Sequence, residues 1–138
     1  PEGTYDDYED GPFSWVVGHP IQPKILDIYA QECVRLSKLP ERMTAPVQVI
    51  RLGEASVVAL PGEVFVEIGL AIKAQSQARP TFVVSLANAY IGYICTDEAL
   101  TEQGGYETWA AVSSLGGVGT APAMVELVGK LLAPGRSS

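Results

Sequence analysis

The chain has 138 residues, of which 47% are hydrophobic, and its formal net charge is −7. This composition excludes a disordered or fibrous protein, the length suits one domain with a sizeable core, and no apolar run reaches the ~18 residues of a membrane span. The negative charge argues against nucleic acid as a partner, because phosphates require a basic surface, and it gives no attraction to an anionic membrane surface.

The first 20 residues are acidic and interrupted by glycine and proline, which predicts a solvated arm ahead of a domain formed by residues 21–138. The acidic start, without Met or a signal peptide, indicates a piece of something longer. A cation site is the alternative for the arm, but its oxygen donors lack the spacing of a calcium loop. The apolar group Phe13, Trp15, Val16 and Val17 would dock the arm on the domain. His19, the only histidine, lies between Gly18 and Pro20, which predicts a turn residue.

Helical periodicity begins at Pro23 and ends before Pro40. Its stripe is apolar apart from one glutamate, which predicts an amphipathic helix that covers a sheet. The stripe consists of Ile25, Ile28, Tyr29, Glu32, Cys33, Leu36 and Leu39. Cys33 and Cys95 are far apart in sequence and show no local pairing pattern, so we expect both to be buried and reduced.

The next segments predict strands and helices in alternation, and therefore an α/β fold in which a mixed sheet is covered by helices. Residues 47–52 and 56–60 form a predicted hairpin around Gly53 and Glu54, and the second strand is expected to be buried on both faces. Residues 64–75 predict a helix packed between other elements, because it is apolar nearly all round. Residues 81–87 predict another buried strand, and residues 120–132 a last helix with one apolar face.

Polar side chains follow both buried strands. Glu63 comes directly after Pro61 and Gly62, while Tyr93 and Tyr106 follow the second strand. Ligands and catalytic groups gather at the carboxyl ends of strands in α/β sheets. An alternative interpretation makes Glu63 an ordinary carboxylate in the first turn of a helix, facing its positive dipole end. The tyrosines, including Tyr90, would then be packing residues with solvated hydroxyls.

Other familiar site chemistries are missing from the sequence. The chain has no evident Ser-His-Asp set and no Cys/His cluster with zinc-finger spacing, and the glycines at 116–119 lack the lysine of a phosphate loop. The remaining candidate constellation is Glu63 with Tyr93 and Tyr106. Carboxylate and phenolate oxygens hold zinc well only beside nitrogen ligands.

Three motifs occur in a fixed order along this part of the chain. They are Leu60-Pro61-Gly62-Glu63 with the helix that continues to Lys73, then Ala87-Asn88-Ala89-Tyr90-Ile91-Gly92-Tyr93-Ile94, and then Gly104-Gly105-Tyr106-Glu107. In order and separation as well as in letters, they resemble the neutral/alkaline non-lysosomal ceramidase family. The resemblance extends over residues 24–132 and corresponds to the C-terminal part of that family's catalytic domain. It therefore implies an incomplete portion of a larger catalytic domain.

The resemblance also implies a function, that of a zinc-dependent amidohydrolase acting on the N-acyl amide bond of a ceramide-like lipid. The family's zinc is held by two histidines, a glutamate that corresponds to Glu63 and a tyrosine that corresponds to Tyr93. Tyr106 corresponds to a tyrosine that assists at the substrate carbonyl. The family's histidines and its proposed serine lie upstream of these residues, and the segment from Tyr93 to Tyr106 is one residue longer than usual. We therefore expect this chain alone to bind zinc weakly and to cleave no amide.

The implied partners are the upstream part of the same catalytic domain and the lipid amide substrate. By the same resemblance, secretion or membrane association is open. A second hypothesis, from a different class, is a non-catalytic module that binds a partner through the face that the upstream half would cover. In either case, an uncovered apolar face predicts self-association.

Overall fold

The protein is described by a computed structural model over residues 23–133. The arm predicted for the first 20 residues, including the Phe13 group and His19, lies outside this range. The described elements are α1 (Pro23–Leu36), β1 (Gln48–Leu52), β2 (Ala55–Ala59), β3 (Glu63–Val64), α2 (Val66–Gln75), β4 (Thr81–Val84), β5 (Tyr93–Ile94) and α3 (Thr120–Leu132). A π-helical turn at Ala99–Gln103 and a 3₁₀ turn at Tyr106–Thr108 lie between β5 and α3. The α/β class is confirmed.

The larger sheet has three strands in the order β1-β2-β4, and it is mixed. β1 and β2 are antiparallel, and the register from Leu52 to Ala55 leaves Gly53 and Glu54 as a two-residue turn. Gly53 has a φ of 63°, as the first turn position of such a hairpin requires. β4 lies parallel to β2, and α2 belongs to the connection between them. The predicted hairpin is confirmed.

One face of this sheet carries the hydrophobic core. Val58 of β2 is fully buried, and Ile68 and Ile72 of α2 meet Val128 of α3 in the same cluster. Arg51 on β1 donates a hydrogen bond of 2.9 Å to the carbonyl of Leu131, close to the end of α3. A guanidinium at this position satisfies a terminal helix carbonyl and complements the negative end of the helix dipole.

The opposite face of the sheet is largely uncovered among residues 23–133, although Ala59 at its end is buried. Ile50, Val57 and Phe82 are aligned across the three strands and therefore point to the same side. Phe82 is 54% exposed and Val84 is also exposed, so the expectation of a buried strand over residues 81–87 is wrong, and the strand ends at Val84. In β2, Val57 is partly exposed, while the other residues of its apolar run, 58–60, are buried as expected. A strand of apolar residues places apolar side chains on both faces of the sheet, but the described residues supply helices that cover only one face.

The uneven covering extends to α2. Only Ile68 and Ile72 of this helix are buried, while Val66 and Leu70 are 67% and 59% exposed. The expectation that α2 lies between other elements is therefore wrong for the described residues. No helix among residues 23–133 is long and apolar enough to cross a membrane.

α1 has only part of the predicted inner stripe, because Ile28, Cys33 and Leu39 are exposed, and it has a different neighbour. The ring of Tyr29 lies 4.4 Å from that of Trp109, and a Glu32 carboxylate oxygen accepts a hydrogen bond from the Val112 backbone. The helix therefore packs on the segment that follows β5 instead of covering the sheet, which corrects the prediction. Cys33 also faces this segment and is exposed, so only Cys95 of the two free thiols is buried as predicted. A periodic stripe identifies the inner side of a helix but not its partner.

Candidate active site

The candidate site lies where β2 and β4 end. The Leu60 backbone N–H donates to Val84 over 2.9 Å, and the Ala87 N–H donates to Leu60 over 2.9 Å. Because β2 and β4 are parallel, their carboxyl ends lie at the same end of the sheet. Glu63 follows one strand end and Tyr93 the other, as expected for site residues in an α/β sheet.

A short parallel strand pair aligns these two residues. Glu63 of β3 is the register partner of Tyr93 of β5, and the Glu63 N–H donates to the Gly92 carbonyl over 2.9 Å. Glu63 therefore belongs to a strand that ends before α2 begins at Val66, which is two residues later than predicted. The alternative of a first-turn carboxylate applies to Glu67 and not to Glu63.

Glycines allow the backbones around this pair to approach closely. A Cβ atom on Gly62 would lie 2.4 Å from the Gly92 carbonyl oxygen, and one on Gly92 would lie 2.0 Å from the Ser113 carbonyl oxygen. Gly92 also has a φ of 75°, which L side chains rarely adopt. The Tyr93 N–H donates to that same Ser113 carbonyl over 2.8 Å. Glu63 and Tyr93 are therefore positioned by direct backbone contact among three segments.

Tyr106 joins the pair from the 3₁₀ turn. Its hydroxyl lies 3.1 Å from the hydroxyl of Tyr93, and the two rings meet edge to face with centroids 5.5 Å apart. The turn is anchored at Glu107, whose carbonyl accepts hydrogen bonds from Ser114 (2.6 Å) and Cys95 (3.3 Å). Burial, followed by the nearby Glu107 charge, raises the pKa of the Cys95 thiol, so the thiol is neutral at ordinary pH. The extra residue between Tyr93 and Tyr106 does not prevent their contact.

Tyr90 is a further member of the cluster, which the sequence interpretation left as a packing residue. Its hydroxyl donates to Oε1 of Glu63 over 3.0 Å, and the residue is 57% exposed. A signal for it exists in the sequence. Tyr90 and Tyr93 lie three residues apart on either side of Gly92, where the chain turns, so both side chains have access to the same carboxylate.

The negative charge of Glu63 shapes the electrostatics of the site. The hydrogen bond to Tyr106 is the main cause of the raised pKa of Tyr93, followed by burial and by the proximity of Glu63. The pKa of Tyr90 is raised first by its hydrogen bond to Glu63, then by burial and by the carboxylate charge. Both hydroxyls are therefore neutral donors at neutral pH. Within residues 23–133, neither of the ion pairs involves Glu63, so a bound cation would be stabilised beside it.

The donor set fits part of a zinc site. Glu63 and Tyr93 offer two oxygen ligands side by side, with a negative charge on one of them. Across the part of the chain that the structure describes, no group of three or more His, Cys, Asp or Glu side chains is placed to hold a metal ion. Zinc at this point would therefore need nitrogen ligands from beyond residues 23–133.

The structure also contains a groove of about 470 Å³, and none of Glu63, Tyr90, Tyr93 and Tyr106 lines it. Ile91, which lies between Tyr90 and Gly92 in the chain, forms part of its wall. The other apolar side chains of the wall come from the end of α1, the loop after it, the loop before α3 and α3 itself. They include Leu36, Leu39, Met43, Leu115 and Met124.

Comparison with known proteins gives a partial similarity to a solved structure. No family model matches the chain. No curated protein matches it either. The crystal structure of neutral ceramidase from Pseudomonas aeruginosa is 32% identical over 62% of this chain, with a TM-score of 0.49. The chain spans 14% of the length of that structure.

Proposed function

We propose that this chain is part of a zinc-dependent amidohydrolase that resembles neutral ceramidase and hydrolyses the N-acyl amide bond of a ceramide-like lipid. The observation that supports this proposal best is the meeting of Glu63, Tyr93 and Tyr106. These three residues come from separate motifs of the sequence, yet they share one edge of the fold, with Glu63 aligned to Tyr93 and the two tyrosine hydroxyls 3.1 Å apart.

Each residue has a distinct role in the proposal. The Glu63 carboxylate and the Tyr93 hydroxyl would hold zinc, together with two histidines from the upstream part of the same catalytic domain. When bound, zinc supplies the positive charge that activates water and polarises an amide carbonyl. Tyr106 donates its hydroxyl proton as a hydrogen bond to the oxygen that becomes negative as the amide is attacked. Its hydroxyl lies 3.1 Å from that of Tyr93, which would keep it beside the proposed zinc ligand.

The lipid part of the proposal is supported by the groove. An acyl chain needs an apolar surface near the cleaved bond, and the groove of about 470 Å³ has Ile91, the neighbour of Tyr90 in the chain, on its wall. Glu41 also lies on its wall. We therefore assign the apolar portion of the substrate to this groove and the amide to the tyrosine cluster.

The uncovered sheet face supports a role for the upstream partner. Leu52, Phe82 and Leu86 are each more than half exposed on or beside this face. Packing the upstream part of the domain against it would remove this apolar surface from water, which is favourable by about 25 cal/mol per Å². The same face is the observation that favours the second candidate, a non-catalytic module that binds an apolar partner.

Zinc content and amide hydrolysis of the intact protein test the proposal. Glu63→Gln keeps the side-chain size but removes the charge, so zinc occupancy and turnover of an N-acyl sphingosine should fall together. Glu67→Gln is the matched control, because Glu67 lies on the first turn of α2 and is exposed. This control should retain both properties.

The outcome separates the two candidates. An intact protein that carries no zinc, or that keeps its zinc in Glu63→Gln, contradicts the enzymatic proposal. If such a protein also binds a partner that Phe82→Lys releases, the non-catalytic module is the correct function.

A further inference from the structure

The two tyrosines that flank Gly92 have different partners. The Tyr93 hydroxyl contacts Tyr106 over 3.1 Å, whereas the Tyr90 hydroxyl donates to Oε1 of Glu63 over 3.0 Å. A packing role for Tyr90 does not account for this arrangement, because the residue is 57% exposed. Its ring contributes little buried area, and its polar end has a specific acceptor.

The hydrogen bond changes what the Glu63 carboxylate can do. A carboxylate has two oxygens and rotates freely about its last bond unless one oxygen is held. Tyr90 holds Oε1, while the backbone of Glu63 is fixed in β3 by its hydrogen bond to Gly92. Oε2 is left in a defined direction. Carboxylates that bind metals are commonly held by such hydrogen bonds, and loss of the donor lowers metal affinity by about 10–100-fold.

We infer that Tyr90 is a positioning residue that fixes the Glu63 carboxylate for binding a divalent cation. The inference rests on the proposed function, since zinc is the cation that the proposal puts there. It adds a residue to the site and assigns different tasks to the three tyrosines. Tyr90 orients the carboxylate, Tyr93 is a ligand and Tyr106 faces the substrate.

Zinc affinity of the intact protein, measured by competition with a chromogenic chelator, tests the inference. Tyr90→Phe removes only the hydroxyl and should weaken zinc binding by about 10–100-fold. Tyr29→Phe is the matched control, because it removes the same atom from a tyrosine whose ring packs on Trp109. This control should leave the affinity unchanged.

A double-mutant comparison shows whether Tyr90 acts through Glu63. In the Glu63→Gln background, Tyr90→Phe should cause no further loss, because the carboxylate that it orients is gone. A general structural defect would lower the affinity equally in both backgrounds.

The possible failures are distinguishable. If Glu63→Gln loses zinc but Tyr90→Phe binds it as tightly as the wild type, the inference is wrong and the proposed function stands. An equal loss on Tyr90→Phe in both backgrounds also overturns the inference. If the wild-type protein holds no zinc, the proposed function fails, and the assignment of Tyr90 fails with it.

Discussion

The three-stranded sheet and the β3–β5 pair share one hydrophobic core but differ in what positions their outer residues. The sheet depends on apolar side chains such as Val58, Ile72 and Val128, each of which has no exposed surface. The pair has only two residues in each strand, and its second residues, Val64 and Ile94, join the same core. Its first residues, Glu63 and Tyr93, are placed by backbone contacts that glycine permits, with Gly92 against Ser113 as the tightest. Stability is thus concentrated on one side of the sheet, while the site is fixed by backbone geometry at its edge. Side-chain substitutions in the core and in the tyrosine cluster should therefore affect folding and site chemistry separately.

The largest effect is expected in the core. Ile72→Ala should lower the free energy of unfolding by about 4 kcal/mol, because it removes a fully buried side chain and leaves a cavity. Leu70→Ala on the same helix changes a residue that is 59% exposed and should cost less than about 0.5 kcal/mol. Urea denaturation of both variants measures the difference. Equal losses would show that α2 is buried on both sides.

In the site, the largest effect should be on chemistry and not on folding. Tyr106→Phe should lower turnover of the intact enzyme by about 10²–10³, the usual result of losing one donor to a developing oxyanion. Zinc content and unfolding midpoint should stay at wild-type values, because the ring that packs on Tyr93 is kept. Wild-type turnover in this variant would remove Tyr106 from the mechanism.

Gly92→Ala should lower the free energy of unfolding by about 3 kcal/mol, because of the backbone geometry at the site. This value combines the strain of a positive φ with a clash against the Ser113 carbonyl. Gly53→Ala is the control, because Gly53 has a similar φ of 63° but no atom within 4 Å of its added Cβ. It should cost about 1–2 kcal/mol from strain alone. If urea denaturation gives the same loss for both variants, the close approach at Gly92 does not support the site.

A smaller effect is expected on the uncovered face of the sheet. Its apolar side chains should exceed the ~300–600 Å² patch that is usual on monomers, so the 138-residue chain should self-associate. Phe82→Lys should weaken this association by roughly tenfold, about 1.4 kcal/mol. Val66→Lys changes an exposed residue on α2 and should have no effect. A wild-type chain that sediments as a monomer at all concentrations would contradict the expectation.

The smallest effect concerns the ionisation of the tyrosines. The charge and the hydrogen-bond acceptor of Glu63 raise the pKa of Tyr90 and contribute to the raised pKa of Tyr93. Glu63→Gln removes the charge and weakens the acceptor, so both tyrosines should ionise at lower pH. Since folding raises both values above the ordinary 10.0, their stabilising contribution is complete below pH 10 and decreases above it. Titration of the tyrosine ring carbons by NMR measures the change, with Glu67→Gln as control. Unchanged titration in Glu63→Gln would mean that the carboxylate lies elsewhere in solution.

Local patterns in the sequence predict the local structure well. The turn at Gly53 and Glu54 forms as expected, and α3 has the predicted bounds of Thr120–Leu132. Thr96, a residue type preferred at helix starts, caps the following helical turn, where its hydroxyl accepts a hydrogen bond from the Ala99 backbone N–H over 3.1 Å. Each of these features depends on residues close together in the chain, whose chemistry is visible in the letters.

Long-range packing is where prediction from the sequence fails. The apolar surface of α2 indicates burial, but whether Leu70 is covered depends on elements that α2 itself does not encode. The packing of α1 on the segment after β5, instead of on the sheet, is not predictable for the same reason. In the site, the motifs identify Glu63, Tyr93 and Tyr106, and the strand alignment that brings the first two together required the structure. Their roles as ligands and donor stay predictions.

The different exposure of the two cysteines has a practical consequence. Cys33 is the one exposed thiol of the chain's two cysteines, and its Sγ lies 3.9 Å from the Ala110 carbonyl oxygen. Ala110 is four residues from Tyr106, on the segment that brings this tyrosine to the site. A thiol-reactive fluorophore should therefore label the native chain preferentially at Cys33. It would report directly on movements of the Tyr106 segment without any engineered label position.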